Sequence, residues 1–297
     1  MPQPLIVRTR EELRAATSGT VALVPTMGAL HAGHLSLMEH VRPLADTVVT
    51  SIFLNPTQFA PGEDFDEYPR TFDADVAKCA EVGVDVVFAP TVDVMYPAGL
   101  DGTVRVDPGP LGRILEGEQR PVMFQGVLTV VAKLFGLVRP DLAIFGEKDY
   151  QQLTLIRLMA DELCLGVEVL GGATVREDDG LAMSSRNGYL TTEERALAGA
   201  LAAALRAGAA AAEGDAGGED VPGGGGAPGG EAARGGEAAA LEAARAVLTE
   251  HGIEPDYLVV TDPDLGEARP GEEGRMLVAA RIGTTRLLDN VAVRLGG

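Results

Sequence analysis

The sequence contains only two cysteines and no tryptophan among its 297 residues. Cys79 and Cys164 both fall in apolar helical patterns; two thiols cannot complete a zinc site, and a lone disulfide is uncommon in the cytosol. The first ten residues lack the apolar core of a signal peptide. A membrane-spanning helix needs about 18 or more consecutive apolar residues, and the chain has no such uninterrupted run. We therefore expect a cytoplasmic protein with no membrane partner.

Positive charge is also scarce. The chain has 24 Lys and Arg against 44 Asp and Glu, a formal net charge of −20. Proteins that bind nucleic acid normally present a basic surface, so we expect no nucleic-acid partner. An anionic substrate would have to be held by a few local cations and by helix N-termini, acting against the mean field.

Buried-strand and helical patterns alternate over the first part of the chain. Short apolar runs predict strands at 21–25, 47–56, 84–90, 141–146 and 167–172. Helical spacing lies between them, as in Leu35, Met38 and Val41, and again at 126–138 and 150–163. Strands and helices in this order form a parallel sheet. We predict an α/β fold, with a Rossmann-like nucleotide-binding domain over residues 1–175.

The remaining residues, 176–297, have a different pattern. Thr191 and Glu194 form a capping-box signature before an Ala/Leu-rich helix at 191–208. Further patterns predict a helix at 237–252 and strands at 257–262, 275–283 and 285–293. Residues 213–236 are rich in Gly, Ala, Pro and Glu, which predicts a flexible insert. We expect a smaller C-terminal α+β domain.

Two of the four histidines, His31 and His34, lie close together in TMGALHAGHLSL, residues 26–37. Three hypotheses fit the pair: metal ligation, ordinary packing and helix capping, or hydrogen bonding to a phosphate. A catalytic zinc site needs three protein ligands, and no cluster near the pair completes one. The pair follows the first strand of the βαβ unit and enters a helix, where open α/β sheets bind ligands and helix N-termini attract phosphate. This position favours the phosphate hypothesis.

The glycines around the histidines support the same interpretation. Gly28 and Gly33 allow the backbone to approach a ligand closely. Neither GxxxxGK[ST] nor GxGxxG occurs, which argues against a P-loop and against hydride-transfer cofactors. Histidine donors beside a phosphate can stabilise the charge that grows on its oxygens. The residues therefore indicate nucleotide chemistry at an α-phosphate.

Six motifs in order resemble the pantothenate synthetase (pantoate–β-alanine ligase) family of the HxGH nucleotidyltransferase superfamily. They are VPTMGALHAGHLSL, SIFLNPTQF, YPRT, FGEKDYQQLTLIR, GLAMSSRNGYL and LVAARIGTTRLLDN. The resemblance covers nearly the whole chain except the 213–236 insert. It implies an enzyme that uses Mg-ATP to convert pantoate to an enzyme-bound pantoyl adenylate, releasing pyrophosphate. β-Alanine then attacks the acyl carbon, giving pantothenate and AMP. A homodimer, with the C-terminal domain as a lid, is implied as well.

The resemblance also implies residue roles. The implied catalytic residues are His31, His34, Lys148 and Arg186. The implied ATP-binding residues are Pro25, Thr26, Met27, Gly28, His34, Gly146, Lys148, Asp149, Val175, Ser184, Ser185 and Arg186. The implied pantoate-binding residues are Met27, Asn55, Gln58 and Gln152. Magnesium ligands are left unassigned. Taken singly, several of these motifs are also typical of ordinary turns, helix starts or core positions.

One stretch departs from the family pattern. Where the family usually has Arg-Pro-Gly-His-Phe, this chain has Val122 and Met123 in place of Gly-His. The change could be tolerated, could shift the acid or amine preference, or could weaken the enzyme. The Met123 departure keeps open a related ligase for another hydroxy acid or amine. Two further alternatives stay open independently of it: a nucleotidyltransferase that leaves the nucleotide on its product, and a non-catalytic nucleotide-binding regulator.

Overall fold

The computed structural model describes residues 2–213 and 232–296. It divides into two compact units, Met1–Val175 and Arg176–Gly297. Most of the predicted flexible insert, residues 214–231, lies outside the described residues.

The first unit contains a six-stranded sheet in which every pairing is parallel. Its strands are β1 (Leu5–Val7), β2 (Val21–Thr26), β3 (Thr47–Ile52), β4 (Val86–Phe88), β5 (Leu142–Gly146) and β6 (Glu168–Gly172), in the order β1-β4-β3-β2-β5-β6. The five predicted strands and the Rossmann-like class are confirmed. β3 ends earlier than predicted, because Asn55 begins a turn with Pro56 at its first position. The sequence patterns did not predict β1, which has three residues.

Helices pack on both faces of this sheet. They are α1 (Arg10–Ala16), α2 (Ala32–Val41), α3 (Phe72–Glu81), α4 (Val92–Met95), α5 (Glu116–Gln119), α6 (Met123–Val138) and α7 (Tyr150–Glu162). Successive residues of β2 belong to the cores on opposite faces of the sheet: Leu23 to the core that contains residues of α6 and α7, and Val24 to the core that contains residues of α2 and α3. This two-sided burial explains why the strands appear as continuous apolar runs. The expectation that Cys164 is helical is wrong. Cys164 lies in a turn just after α7, with φ +51°.

The strand order reverses at β2. This strand pairs with β3 on one side and with β5 on the other, so that Ala22 is opposite both Val48 and Leu142. In open α/β sheets the crevice at such a switch point, beyond the carboxyl ends of the strands, is the usual ligand site. The segments that follow β2 and β5 therefore flank the expected binding crevice.

The second unit is α+β, as predicted. It contains α8 (Thr192–Glu213), α9 (Ala232–Glu250) and an antiparallel sheet of β7 (Pro255–Thr261), β8 (Glu273–Ile282) and β9 (Thr285–Arg294). The capping box is confirmed: the backbone N–H of Thr191 donates to Glu194 Oε2 at 2.9 Å, and that of Glu194 donates to Thr191 Oγ1 at 3.2 Å.

The two helices of this unit extend into the predicted insert. Residue 213 and residues 232–236 are helical, so the prediction of a flexible segment is wrong there. Tertiary packing accounts for this: a Cβ added at Gly236 of α9 would lie 3.3 Å from the backbone nitrogen of Gly296 and 3.5 Å from the carbonyl oxygen of Ala212 of α8. Glycine thus permits close helix packing, which outweighs its poor helix propensity.

Among the described residues, α8 has the length and apolar composition that a membrane-crossing helix also shows. Its residues Leu201 and Leu205 are buried in the core of the second unit, against α9 and the sheet.

Candidate functional site

The loop after β2 has an unusual backbone. Pro25 and Thr26 end the strand, Met27 follows, and Gly28 and Ala29 have φ of +90° and +51°. The Thr26 hydroxyl donates to the carbonyl oxygen of Ser51 at 2.7 Å and accepts from the Gly28 N–H at 3.2 Å. The left-handed backbone explains the glycine at 28, whereas Ala29 adopts a conformation that residues other than Gly, Asn and Asp seldom take.

Asp75 of α3 holds this loop in place. Its carboxylate accepts from the backbone N–H of Ala29 at 3.0 Å and of Leu30 at 2.8 Å, and also from the Thr71 hydroxyl at 3.1 Å. Lys78, one turn further along α3, donates to the Leu30 carbonyl oxygen at 2.5 Å. Asp75 is 1% exposed. Local sequence patterns did not identify Asp75, although an acidic residue four positions before the buried Cys79 shares that residue's helix face.

His31 and His34 lie at the N-terminus of α2. His31 is the N-cap: its Nδ1 accepts from the Gly33 N–H at 3.1 Å, while Nδ1 of His34 accepts from the His31 N–H at 3.3 Å. The ring centroids are 4.1 Å apart. Since each Nδ1 accepts, each neutral ring carries its proton on Nε2. Helix capping and ligand donation are therefore compatible roles for different nitrogens of the same ring.

His34 is held in its neutral form. Burial, followed by the electrostatic effects of His31, Lys148 and Lys78, lowers the pKa of its imidazole from 6.5 to about 3. Lys148 follows β5, so residues from both sides of the switch point contribute to this lowering of the pKa. At neutral pH the ring is a hydrogen-bond donor and not a cation.

The segment after β5 provides a partly buried cation. Gly146 ends the strand, and Lys148 and Asp149 lie in a single 3-10 turn before α7. The Lys148 side chain is 19% exposed and that of Asp149 46%, with 3.5 Å between Nζ and Oδ1. A Cβ added at Gly146 would meet no atom within 4 Å. The backbone here borders open space that a ligand can approach.

Asn55 and Gln58 belong to one hydrogen-bonded network after β3. The buried Asn55 accepts at Oδ1 from the Tyr96 hydroxyl at 2.7 Å, and its Nδ2 donates to Gln58 Oε1 at 3.0 Å. Gln58 Nε2 is in turn 3.0 Å from the sulfur of Met27. The network fixes the Gln58 amide with its N–H groups on the Met27 side. Tyr96 is 1% exposed, and no motif in the sequence points to its place in this network.

Met123 occupies the first position of α6 and is buried. Its sulfur is 2.6 Å from Nη1 of Arg120. Arg120 also donates from Nη2 to Glu63 Oε2 at 2.6 Å and to the Gln58 carbonyl oxygen at 3.3 Å. The departure from the family pattern therefore contacts the arginine that binds the Gln58 segment, while Val122 is largely exposed.

The two glutamines of α7 differ in environment. Gln151 is buried, accepts from the Glu116 N–H at 3.0 Å and donates to the carbonyl oxygens of Leu111 and Ile114. Gln152, the predicted pantoate residue, is partly exposed. Val175 ends the first unit in irregular structure.

The remaining predicted residues belong to the second unit. Ser184 caps a 3-10 helix, Ser185–Tyr189, by accepting from the Arg186 N–H at 3.3 Å. Ser184, Ser185 and Arg186 are all partly exposed. Within residues 2–213 and 232–296, no three His, Cys, Asp or Glu side chains cluster as a metal site.

Comparison with known proteins extends these observations. The family model for pantoate-beta-alanine ligase matches residues 5–292. Pantothenate synthetase from Thermobifida fusca is 51% identical, over 98% of this chain and 96% of that protein. The crystal structure of pantothenate synthetase from Thermus thermophilus aligns with a TM-score of 0.85 and 45% identity, covering 97% of this chain and 98% of that one. The Francisella tularensis pantoate-beta-alanine ligase, crystallised with beta-gamma ATP and beta-alanine, aligns with a TM-score of 0.76 and 30% identity over 97% of both chains.

Proposed function

The chain belongs to the pantoate-beta-alanine ligase family, and we propose that the side chains at the carboxyl ends of β2, β3 and β5 carry out its two-step chemistry. As a member of that family it is an ATP-dependent ligase that forms pantothenate from pantoate and β-alanine. The observation that carries the residue-level proposal is the hydrogen-bonded pair His31 and His34 at the N-terminus of the helix after β2, at the switch point of the sheet.

In the first step a pantoate carboxylate oxygen attacks the α-phosphorus of ATP and pyrophosphate leaves. A carboxylate is already a nucleophile, so this step needs stabilisation of charge more than a base. His31 and His34 donate from Nε2 to the phosphate oxygens, and Lys148 adds a positive charge. Removing one donor of this kind typically slows a reaction by roughly 10²- to 10³-fold. Helix N-terminal amides contribute to the same site.

The nucleoside would lie along the ends of β2 and β5. Pro25, Thr26, Met27 and Gly28 form one wall, and Gly146 leaves room for the nucleotide on the other. The carboxylate of Asp149 accepts from the ribose hydroxyls, and Val175 completes the ATP contacts.

Pantoate would be bound by Asn55, Gln58, Gln152 and Met27. Gln58 presents N–H donors because Asn55 occupies its Oε1. Amide donors suit a substrate that carries a carboxylate and hydroxyls. A site built on such hydrogen bonds rejects analogues that lack the matching groups by up to roughly 10⁴-fold.

Magnesium would enter with ATP. Mg²⁺ usually keeps several waters and is bound through substrate phosphates with one or two carboxylates. The ion neutralises phosphate charge.

The second unit supplies the remaining phosphate contacts in this proposal. Ser184, Ser185 and Arg186 bind the β- and γ-phosphates, so that the pyrophosphate is held as it leaves. The unit acts as a lid, because water would otherwise hydrolyse the adenylate before the amine arrives.

In the second step the amine of β-alanine attacks the acyl carbon, the bond from that carbon to the AMP oxygen breaks, and the nitrogen loses a proton. The Francisella tularensis relative binds β-alanine. We propose β-alanine as the amine substrate of this chain as well. The second candidate is a ligase for a different hydroxy acid or amine, because Met123 differs from the family pattern.

An isotope experiment tests the adenylate. Pantoate labelled with ¹⁸O in its carboxylate is incubated with Mg-ATP, with and without β-alanine, and the products are analysed by mass spectrometry. We expect pantothenate and AMP in equal amounts, with one ¹⁸O in AMP, and pantoate-dependent exchange of pyrophosphate into ATP without β-alanine. The His34→Ala variant should lose pantothenate formation and pyrophosphate exchange. The His40→Ala variant, which changes an exposed position on the same helix, should keep both activities.

Other outcomes identify the alternatives. Label in orthophosphate would contradict the adenylate. Exchange without pantothenate would show that the amine site has diverged, and other amines would then be screened. A nucleotide retained on the product would favour the nucleotidyltransferase.

We further propose a cytoplasmic homodimer, on the family resemblance. Light scattering of the purified protein measures the oligomeric state, and a monomeric mass at assay concentration would contradict the dimer.

A further inference from the structure

The C-terminal motif that contains Asp289 and Asn290 has no part in the chemistry above. Asp289 lies in β9 and is 2% exposed. Its carboxylate accepts from both terminal nitrogens of Arg176, at 2.6 and 3.0 Å. A buried carboxylate is retained only where it is paired and hydrogen-bonded. The strand thus carries a charge whose partner lies 113 positions away in the sequence.

Arg176 connects β9 to a tight hairpin. Its Nη1 donates to the Gly180 carbonyl oxygen at 2.9 Å, and its Nη2 donates to that of Asn290 at 3.3 Å. The hairpin is closed by a bridge between Arg176 and Ala182, and by the Gly180 N–H donating to the Glu177 carbonyl oxygen at 2.8 Å. The Arg176 guanidinium therefore links Asp289 to the hairpin turn at Gly180, and the backbone of Arg176 forms the bridged end of the same hairpin.

The hairpin in turn holds the 3-10 helix that contains Arg186. Asn187 Nδ2 donates to Glu177 Oε1 at 2.8 Å and to the Ala182 carbonyl oxygen at 3.1 Å. Arg195 of α8 donates to the other oxygen of Glu177 at 2.6 Å. Because Asn187 directly follows Arg186, the position of the phosphate-binding segment depends on this side chain.

We propose that Asp289 is a positioning residue for the phosphate-binding segment Ser184–Arg186, acting through Arg176, Glu177 and Asn187. The inference rests on the proposed function, which assigns the β- and γ-phosphates to that segment. A segment fixed in advance loses less conformational entropy when the phosphates bind, and it keeps Arg186 within reach of the leaving pyrophosphate.

The test compares three variants. Asp289→Asn removes the carboxylate that pairs with Arg176. Asn187→Ala removes the partly exposed side chain that joins Glu177 to the segment with Arg186. Asp256→Asn is the matched control: it removes an ion pair in which Arg286, also on β9, donates from Nε to Asp256 Oδ2 at 2.6 Å. The measurements are the KM for ATP, the rate of pantoate-dependent pyrophosphate exchange, the KM for β-alanine and the thermal unfolding midpoint.

We expect Asp289→Asn and Asn187→Ala to raise the KM for ATP and slow the exchange by about 10- to 100-fold, the cost of a small misplacement of binding groups. The KM for β-alanine should stay unchanged. Asp256→Asn should leave the KM for ATP unchanged even if its unfolding midpoint falls. A purely structural role would instead make Asp289→Asn behave like Asp256→Asn.

Arg186→Ala separates failure of this inference from failure of the proposed function. If Arg186→Ala leaves the KM for ATP and the exchange unchanged, the phosphate-binding role of the segment is wrong. If Arg186→Ala impairs both while Asp289→Asn and Asn187→Ala match the control, the positioning role is wrong. If Asp289→Asn shows no cooperative unfolding transition, it is not folded, and the comparison of Asn187→Ala with the control then tests the positioning role.

Discussion

Asp75 holds Ala29 in a left-handed conformation: its Oδ2 accepts the Ala29 N–H at 3.0 Å while Ala29 has φ +51°. The same carboxylate accepts the Leu30 N–H, and the next residue in the chain is His31. A buried acidic side chain on α3 therefore sets the backbone that leads into the two histidines.

Replacement of this carboxylate by an amide should disturb the loop. Asp75→Asn offers one acceptor oxygen where two N–H groups need partners, and an unmatched buried donor costs about 1–3 kcal/mol. We expect the free energy of unfolding to fall by that amount and pyrophosphate exchange to slow, as measured by urea unfolding and the exchange assay.

Two further variants sharpen that prediction. Asp73→Asn, an exposed position on the same helix, should change neither quantity. Ala29→Gly in the Asp75→Asn background should recover part of the loss, since glycine adopts a positive φ without strain. Equal behaviour of Asp75→Asn and Asp73→Asn would exclude a role for Asp75.

His34 should remain neutral over the pH range of the assay. Burial and neighbouring charges lower the pKa of His34 to about 3, so its ring resonances should not shift between about pH 8 and pH 5, where an unperturbed histidine titrates. NMR spectra measure this, with the resonances assigned by their loss in His34→Gln. A midpoint near the ordinary histidine value would contradict the donor role.

The same pKa affects stability. Because the pKa of His34 falls from 6.5 in the unfolded chain to about 3 in the native protein, the unfolded state binds more protons between these values. The contribution of His34 is complete above the unfolded pKa and is lost as pH falls towards the native one. His34→Gln should therefore lose less stability than the unaltered protein between neutral pH and about pH 5, as followed by urea unfolding. An identical loss in both proteins would count against this coupling.

Pantoate binding should depend on the N–H donors of the Gln58 side chain. Gln58→Glu keeps an acceptor for Asn55 but replaces the N–H donors with a charge that repels the pantoate carboxylate. We expect the KM for pantoate to rise by roughly 10²-fold or more, with a smaller effect on the KM for ATP, in steady-state assays. Gln119→Glu adds the same charge at an exposed position and should have little effect.

Tyr96→Phe tests the support behind Gln58. It removes the 2.7 Å hydrogen bond to Asn55, and one such bond is worth about 1 kcal/mol. The KM for pantoate should therefore rise by about fivefold. No change in that KM would show that the network does not orient the amide.

The two thiols should differ in reactivity. Cys79 is fully buried, and burial raises the pKa of its thiol to about 12, whereas Cys164 is exposed. Native protein should react rapidly with a thiol reagent at Cys164 alone, and denatured protein at both positions. Cys164→Ser should abolish the rapid phase, and a rapid phase that persists would mean that α3 opens.

Local patterns in the sequence determined much of this protein. Continuous apolar runs predicted five of the six parallel strands, because a strand buried on both faces leaves that signal without reference to its partners. The positions of His31 and Lys148 after the first and fourth of those strands followed from the same reading, as did the capping box at Thr191.

Tertiary structure decided the rest. β1, with three residues, pairs with β4 at the edge of the sheet, and the start of α9 packs against α8, with Gly236 close to the carbonyl oxygen of Ala212. The hydrogen bonds of Asp75 and Asp289 join residues that are 46 and 113 positions apart, and the neutral state of His34 comes first of all from burial. Local sequence records which side of an element is buried, but hydrogen-bond partners and desolvation depend on residues that only the folded chain brings together.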